Sequence, residues 1–161
     1  MRSRRAQRDR ALLLRRRLLG DDLLLCHDPF EKLDGIFQGR YADRAGFLSS
    51  RGLDPAKPTV LFAPTYKPTC MYDVKDAVFE ATKDRCNLVV KLHHYSWMGK
   101  YAPHEQHRIF ERRVRQYPHA TLVPMEEYNI VPWMAAADTL LSEASSTVFD
   151  FLALGKTGII Y

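Results

Sequence analysis

From residue 58 onward, short apolar runs are separated by longer amphipathic stretches. Thr59-Val60-Leu61-Phe62-Ala63 reads as a buried strand ended by Pro64, and residues 73–85 show helical spacing with Val74, Ala77, Val78 and Ala81 on one face. Residues 87–92 form a second strand, whose unbroken apolar run Leu88-Val89-Val90 suits a parallel strand covered on both faces. A charged helix follows over 104–116 and stops near Pro118; residues 120–123 are a third strand. Residues 130–137 read as a helix with Pro132 in its first turn, where a missing N–H costs nothing. Residues 139–142 are a fourth strand, 145–154 a helix closed by Gly155, and 158–161 the start of a fifth strand. This alternation predicts an α/β fold, a Rossmann-like parallel sheet with flanking helices.

The domains expected are a basic N-terminal helix or arm over 1–26, a linker leading into the domain over 27–57, and an incomplete Rossmann-like nucleotide-diphosphate-binding domain over 58–161. A final strand would normally be followed by a covering helix, so the sequence is expected to be a piece of a longer protein, incomplete at both ends.

Composition narrows the class. Apolar residues are 46% and charged residues 27%, globular usage that excludes a disordered or fibrous chain. The net charge of +5 is local: residues 1–20 hold eight Arg and one Asp, a balance of +7, which leaves −2 for residues 21–161. A nearly neutral body disfavours nucleic acid as a partner. No uncharged stretch exceeds ten residues, whereas a spanning helix needs roughly 20 apolar ones. The arm itself reads as a solvated helix or as a basic amphipathic segment on anionic lipid. Three cysteines without a CxxC pair fit a reduced, cytoplasmic protein, peripheral to the inner face of the cell membrane if the arm binds lipid. His104 and His107 lack the ligand set of a zinc site, so no metal is expected.

Three polar clusters follow three of these strands. In Ser142-Glu143-Ala144-Ser145-Ser146-Thr147, small hydroxyl residues occupy a strand-to-helix turn. The unpaired N–H groups and positive dipole end there suit a phosphate. Asp150, one helical turn beyond Ser146, is placed to meet ribose hydroxyls. Simple helix capping is the plainer explanation for Ser145 or Ser146, yet it needs one hydroxyl, not three. The second cluster is Lys91 with His93, where an imidazole near neutrality can donate to phosphate or move a proton. The third is Thr65 with Lys67, just past Ala63.

With these residues in view, TVLFAPTYKP, VVKLHH and YNIVPWMAAADTLLSEASSTVFDFLALGKTGIIY together resemble the carboxyl-terminal domain of the CDP-glycerol glycerophosphotransferase family, the polymerases and primases of teichoic acid. The upstream HDPFEKLDGIF and GLDPAKP are similar to that family's linker, so the resemblance spans about residues 27–161. It implies the donor-binding half of a GT-B fold that transfers glycerol phosphate from CDP-glycerol, or a related polyol phosphate, to a hydroxyl of a cell-wall polymer, releasing CMP. No cofactor is implied beyond the nucleotide-activated polyol donor. Ser145, Ser146, Asp150, Glu143, Lys91, Thr65 and Lys67 are then the substrate-binding residues and His93 the catalytic one. Ala144 stands where the family carries an aromatic residue and Thr157 where it carries proline. The His-Gly motif of the acceptor-side domain is absent, so this chain alone is not expected to catalyse transfer. The alternatives are a GT-B sugar transferase or UDP-sugar 2-epimerase-like domain, and a non-catalytic nucleotide-binding fragment.

Overall fold

A computed structural model describes residues 31–98 and 105–161. The basic arm, residues 1–26, and His104 lie outside the described residues. Contacts divide the chain into units 1–34 and 35–161, and the second unit holds the sheet. In chain order the elements are α1 (Glu31–Phe37), α2 (Arg44–Ser49), β1 (Thr59–Ala63), α3 (Met71–Val74), α4 (Ala77–Thr82), β2 (Asn87–Val90), a 3₁₀ turn (His94–Ser96), α5 (Gln106–Val114), β3 (Ala120–Leu122), α6 (Val131–Ala136), β4 (Thr139–Ser142), α7 (Ser146–Ala153) and β5 (Thr157–Ile160).

All five strands are parallel, in the order β3-β2-β1-β4-β5. Register sets Phe62 beside Val90 on one flank of β1 and Ala63 beside Ser142 on the other. Because side chains alternate across a strand, β1 feeds two cores. Leu61 and Ala63 join Val89, Leu140, Trp133, Met134, Val148 and Phe151 beneath α2, α6 and α7. Phe62 joins Leu88, Val90, Met71, Phe79 and Phe110 beneath α3, α4 and α5. Each fully buried Phe or Leu contributes about 1.5–3 kcal/mol of transfer free energy, so both sheet faces are strongly specified.

The helix expected over 73–85 is instead two short helices, α3 and α4. Met71, Val78, Phe79 and Thr82 are buried, while Ala77 and Ala81 are exposed. The larger Met and Phe side chains bury more apolar area than two alanines, and they set which face turns inward. Thr82 hydroxyl donates to Val78 O at 2.7 Å and lies 3.0 Å from His119 Nε2, closing that core with a satisfied polar pair.

Residues 35–57 cluster with the sheet and contain α2. Asp43 caps α2 by accepting from Gly46 N–H at 2.8 Å. A Cβ on Gly46 would lie 2.2 Å from Asp43 Oδ2, so a side chain there would shift the capping carboxylate. Leu48 and Leu53 are buried in the α2 core. Arg44 ties the helix to the sheet's amino edge, donating to Ala136 O and Pro55 O at 2.9 Å and to Asp138 Oδ2 at 2.8 Å. At the end of α6, Lys156 Nζ donates to the carbonyls of Met134, Ala135 and Ala137 at 2.9, 2.7 and 2.6 Å. Those are carbonyls that a helix terminus leaves without partners, and the lysine charge faces the negative dipole end. No helix among the described residues is long and apolar enough to cross a membrane.

Candidate functional site

The sheet order reverses beside β1: β2 and β3 lie on one side, β4 and β5 on the other. The carboxyl ends of β1 and β4 therefore diverge into loops toward opposite sheet faces, which is the place where open α/β sheets bind ligands. Thr65 and Lys67 follow β1, Lys91 and His93 follow β2, and Ser145 and Ser146 follow β4, so all three polar clusters meet at one sheet edge.

Contacts between the loops make this a connected site. Glu143, buried just past β4, accepts from the Thr65 backbone N–H, from Thr65 Oγ1 at 2.7 Å, and from the Cys70 backbone N–H. Burial pushes its carboxyl upward, but the bonds from Thr65 and Cys70 outweigh that and hold it below the usual carboxylate range. Glu143, a substrate-binding candidate by sequence, is thus occupied internally: it anchors the 64–70 loop to the end of β4. Thr65 is drawn into the same clamp, its hydroxyl also meeting Pro68 O. The neighbouring Cys70 thiol is buried and, with Glu143 beside it, pushed up to about 12, which makes it inert as a nucleophile.

Ser145 is the N-cap of α7, yet its side chain makes no capping bond. Its Oγ lies instead 3.4 Å from Ser142 Oγ, which itself donates to Ala63 O at 2.6 Å. The plain capping explanation for Ser145 therefore fails. Ser146 is exposed at the first position of α7, an eight-residue helix, and Asp150 is half-buried one turn on. Lys67 is exposed on its loop.

On the other flank, β2 ends at Val90, one residue before Lys91. Lys91 is half-buried, and burial lowers the pKa of its ammonium although the Glu127 carboxylate opposes that shift. His93 Nδ1 accepts from the Tyr95 N–H at 3.2 Å. In the neutral ring the proton must then sit on Nε2, which becomes a donor. Burial, followed by the neighbouring His94 and Lys91, lowers its pKa below 6.5, so the ring is neutral at pH 7. Tyr66, from the β1 loop, packs on the ring with centroids 4.6 Å apart. His93 is thereby joined to the β1 loop through Tyr66, and the β1 loop to the α7 start through Glu143. Sequence reasoning missed Tyr66 and the Glu143 clamp.

A cavity of about 550 Å³ lies elsewhere, along the β3 edge, lined by Trp97, Glu111, Val114, Arg115, Met125 and Glu126 among others. Its two carboxylates against one guanidinium disfavour an anion. No group of acidic, His and Cys side chains among the described residues forms a metal cluster.

Sheet order and loop convergence define a Rossmann-like α/β domain. Among solved structures, this fold is similar to the wall teichoic acid polymerase TagF. A TagF variant soaked with CDPG matches at a TM-score of 0.59 with 16% identity, over 81% of this chain and 30% of TagF. The same variant without the soak gives 0.54, with 14% identity over 81% of this chain and 32% of TagF, and TagF itself 0.51, with 14% identity over 80% and 30%. The chain thus spans about a third of TagF. No protein-family model matches the sequence, and no curated protein matches it. The fold implied by the family resemblance is the fold observed.

Proposed function

We propose that residues 35–161 bind the nucleotide-activated donor of a glycerophosphotransferase-type reaction, the diphosphate resting on the start of α7. The observation that carries this reading is the Ser145 hydroxyl, free of capping duty at a helix N-terminus on the switch-point edge. The resemblance in sequence and the fold shared with TagF both support it.

In this reading Ser145, Ser146 and the first α7 N–H groups hold the diphosphate, and Asp150 accepts from ribose hydroxyls. An acceptor hydroxyl attacks the β-phosphorus of CDP-glycerol, the bond from that phosphorus to the bridging oxygen breaks, and CMP leaves. His93, with its proton on Nε2, donates to a phosphate oxygen as charge develops, while Lys91 and Lys67 add positive potential. An Nε2–H imidazole cannot take the attacking hydroxyl's proton at that nitrogen, so the base comes from elsewhere, in keeping with the acceptor-side motif this chain lacks.

Calorimetric titration tests the assignment. CDP-glycerol is expected to bind the chain, and Asp150→Ala to weaken it by about tenfold, the cost of one or two charge-assisted hydrogen bonds. Unchanged affinity in that variant removes ribose recognition from Asp150, and tighter binding of a UDP-sugar than of CDP-glycerol favours the sugar-transferase alternative.

A further inference from the structure

The β5 edge of the sheet is apolar on both of its faces. β5 ends the strand order and pairs with β4 alone. Register sets Gly158 beside Leu140 and Ile159 beside Leu141, and successive β5 residues face opposite layers. Gly158 lies under α7, where a Cβ would stand 3.4 Å from Leu152 Cδ2, and Ile160 shares that face by alternation. Ile159 and Tyr161 face the other layer, the Tyr161 N–H continuing the pairing with a bond to Ser142 O at 3.0 Å. On α7, Phe149 and Leu152 are three residues apart and so neighbours on one helix face. Phe149 is 75% exposed, Leu152 49%, Ile159 51%, Ile160 59% and Tyr161 66%. Edge strands are commonly guarded by lysine, inward charges or proline. Residues 151–161 carry one charge, Lys156, and its ammonium is committed to the carbonyls at the end of α6. The opposite edge, β3, is by contrast three half-buried residues.

We propose that this edge is a homodimer interface, in which two copies pair their β5 strands antiparallel across a two-fold axis and set their α7 helices side by side. Nothing in it depends on what the start of α7 binds. The unpaired N–H and C=O groups of an edge strand need hydrogen-bonding partners, which another strand supplies and a lipid surface does not. Ile159 and Ile160 are exposed on opposite faces. A partner lying flat on one face leaves the other in water, whereas a partner joined edge to edge continues both layers. A two-fold contact sets each residue against its own kind, so charge in the patch would repel; with Lys156 turned to α6, the segment meets its copy without that penalty. Area agrees. Counting about 200 Å² for a full aromatic side chain and roughly 150 Å² for an aliphatic one, the five exposed fractions amount to about 500 Å² per copy. Two copies reach the total of about 1,000 Å² that a specific interface requires, before any polar rim is added.

Sedimentation velocity on the full chain over a concentration series tests this. A monomer–dimer equilibrium is expected, with a Kd of about micromolar order for an interface of this size. Ile159→Lys is expected to weaken dimerisation by about a hundredfold or more, because it buries an ammonium against its own copy. Phe149→Ser is expected to weaken it by about tenfold. Both positions are exposed, so both variants should keep the wild-type circular dichroism spectrum. Amide exchange within residues 157–160 should slow as wild-type concentration rises and stay fast in Ile159→Lys. A wild-type chain still monomeric at about 100 μM overturns the proposal. So does a dimer equally tight in both variants, which places the contact elsewhere, and so does assembly that grows past the dimer, which a closed two-fold contact forbids.

Discussion

Replacing Glu143 with Ala is expected to destabilise the fold by about 3 kcal/mol at pH 7, the range found when one partner of a buried charged network is removed. The carboxylate accepts from two backbone N–H groups and one hydroxyl, and alanine leaves the Thr65 and Cys70 amides without acceptors in a region that water reaches poorly. Glu143→Gln keeps one acceptor oxygen but turns an NH₂ group toward donors, so it is expected to recover only part of the loss. The pH dependence has a definite sign. The folded pKa lies below the ordinary 4.5, so the stabilisation is complete above about 4.5 and is lost as pH falls through the folded value. Urea unfolding at pH 7 and near pH 4 checks both points: the wild type should lose stability between them, and Glu143→Ala should lose less. Equal midpoints for the two proteins at pH 7 would show that the 64–70 loop does not depend on this clamp.

The second large effect is expected from Ser146→Asp. Ser146 is exposed at the first position of α7, where a carboxylate favours the helix by roughly 0.3–1 kcal/mol through the dipole. The fold should therefore hold or gain stability. The same charge faces the proposed diphosphate, and unit charges about 4 Å apart in a surface environment repel by about 4 kcal/mol. CDP-glycerol affinity should fall by about a hundredfold or more. A change under about threefold in titration calorimetry would move the diphosphate off this helix. Opposite signs for stability and binding separate this test from a folding defect.

The strands were legible because parallel strands buried on both faces are continuous apolar runs, and Val60 to Ala63, Leu88 to Val90 and Leu140 to Leu141 are such runs. The helices were less so. α3 and α4 are short, and their inward face is chosen by Met71 and Phe79 rather than by the evenly spaced Val and Ala positions. α2 had a signal in Asp43 three residues before Gly46, a local cap that hydrophobic periodicity does not register. Among the candidate site residues, the placement of Thr65, His93 and Ser145 past the carboxyl ends of parallel strands followed from the alternation of strands and helices. The internal partners of Glu143 were not legible, because a carboxylate beside a phosphate turn has the same local sequence whether it meets a ligand or a loop. Only tertiary structure brings Thr65 and Cys70, 78 and 73 residues away in sequence, onto its oxygens. The three carbonyl partners of Lys156 at the end of α6 likewise come together only in the folded chain.

The central claim is that nucleotide diphosphate occupies the start of α7. Amide NMR of the full chain titrated with CDP-glycerol addresses it directly, because the N–H groups of residues 145–147 are themselves the proposed donors. The account predicts that these amides shift most, with His93 and Asp150 moving in the same saturating titration. Perturbations confined to the β3-edge cavity, at Val114, Arg115 and Met125, with residues 145–147 unmoved, would contradict it.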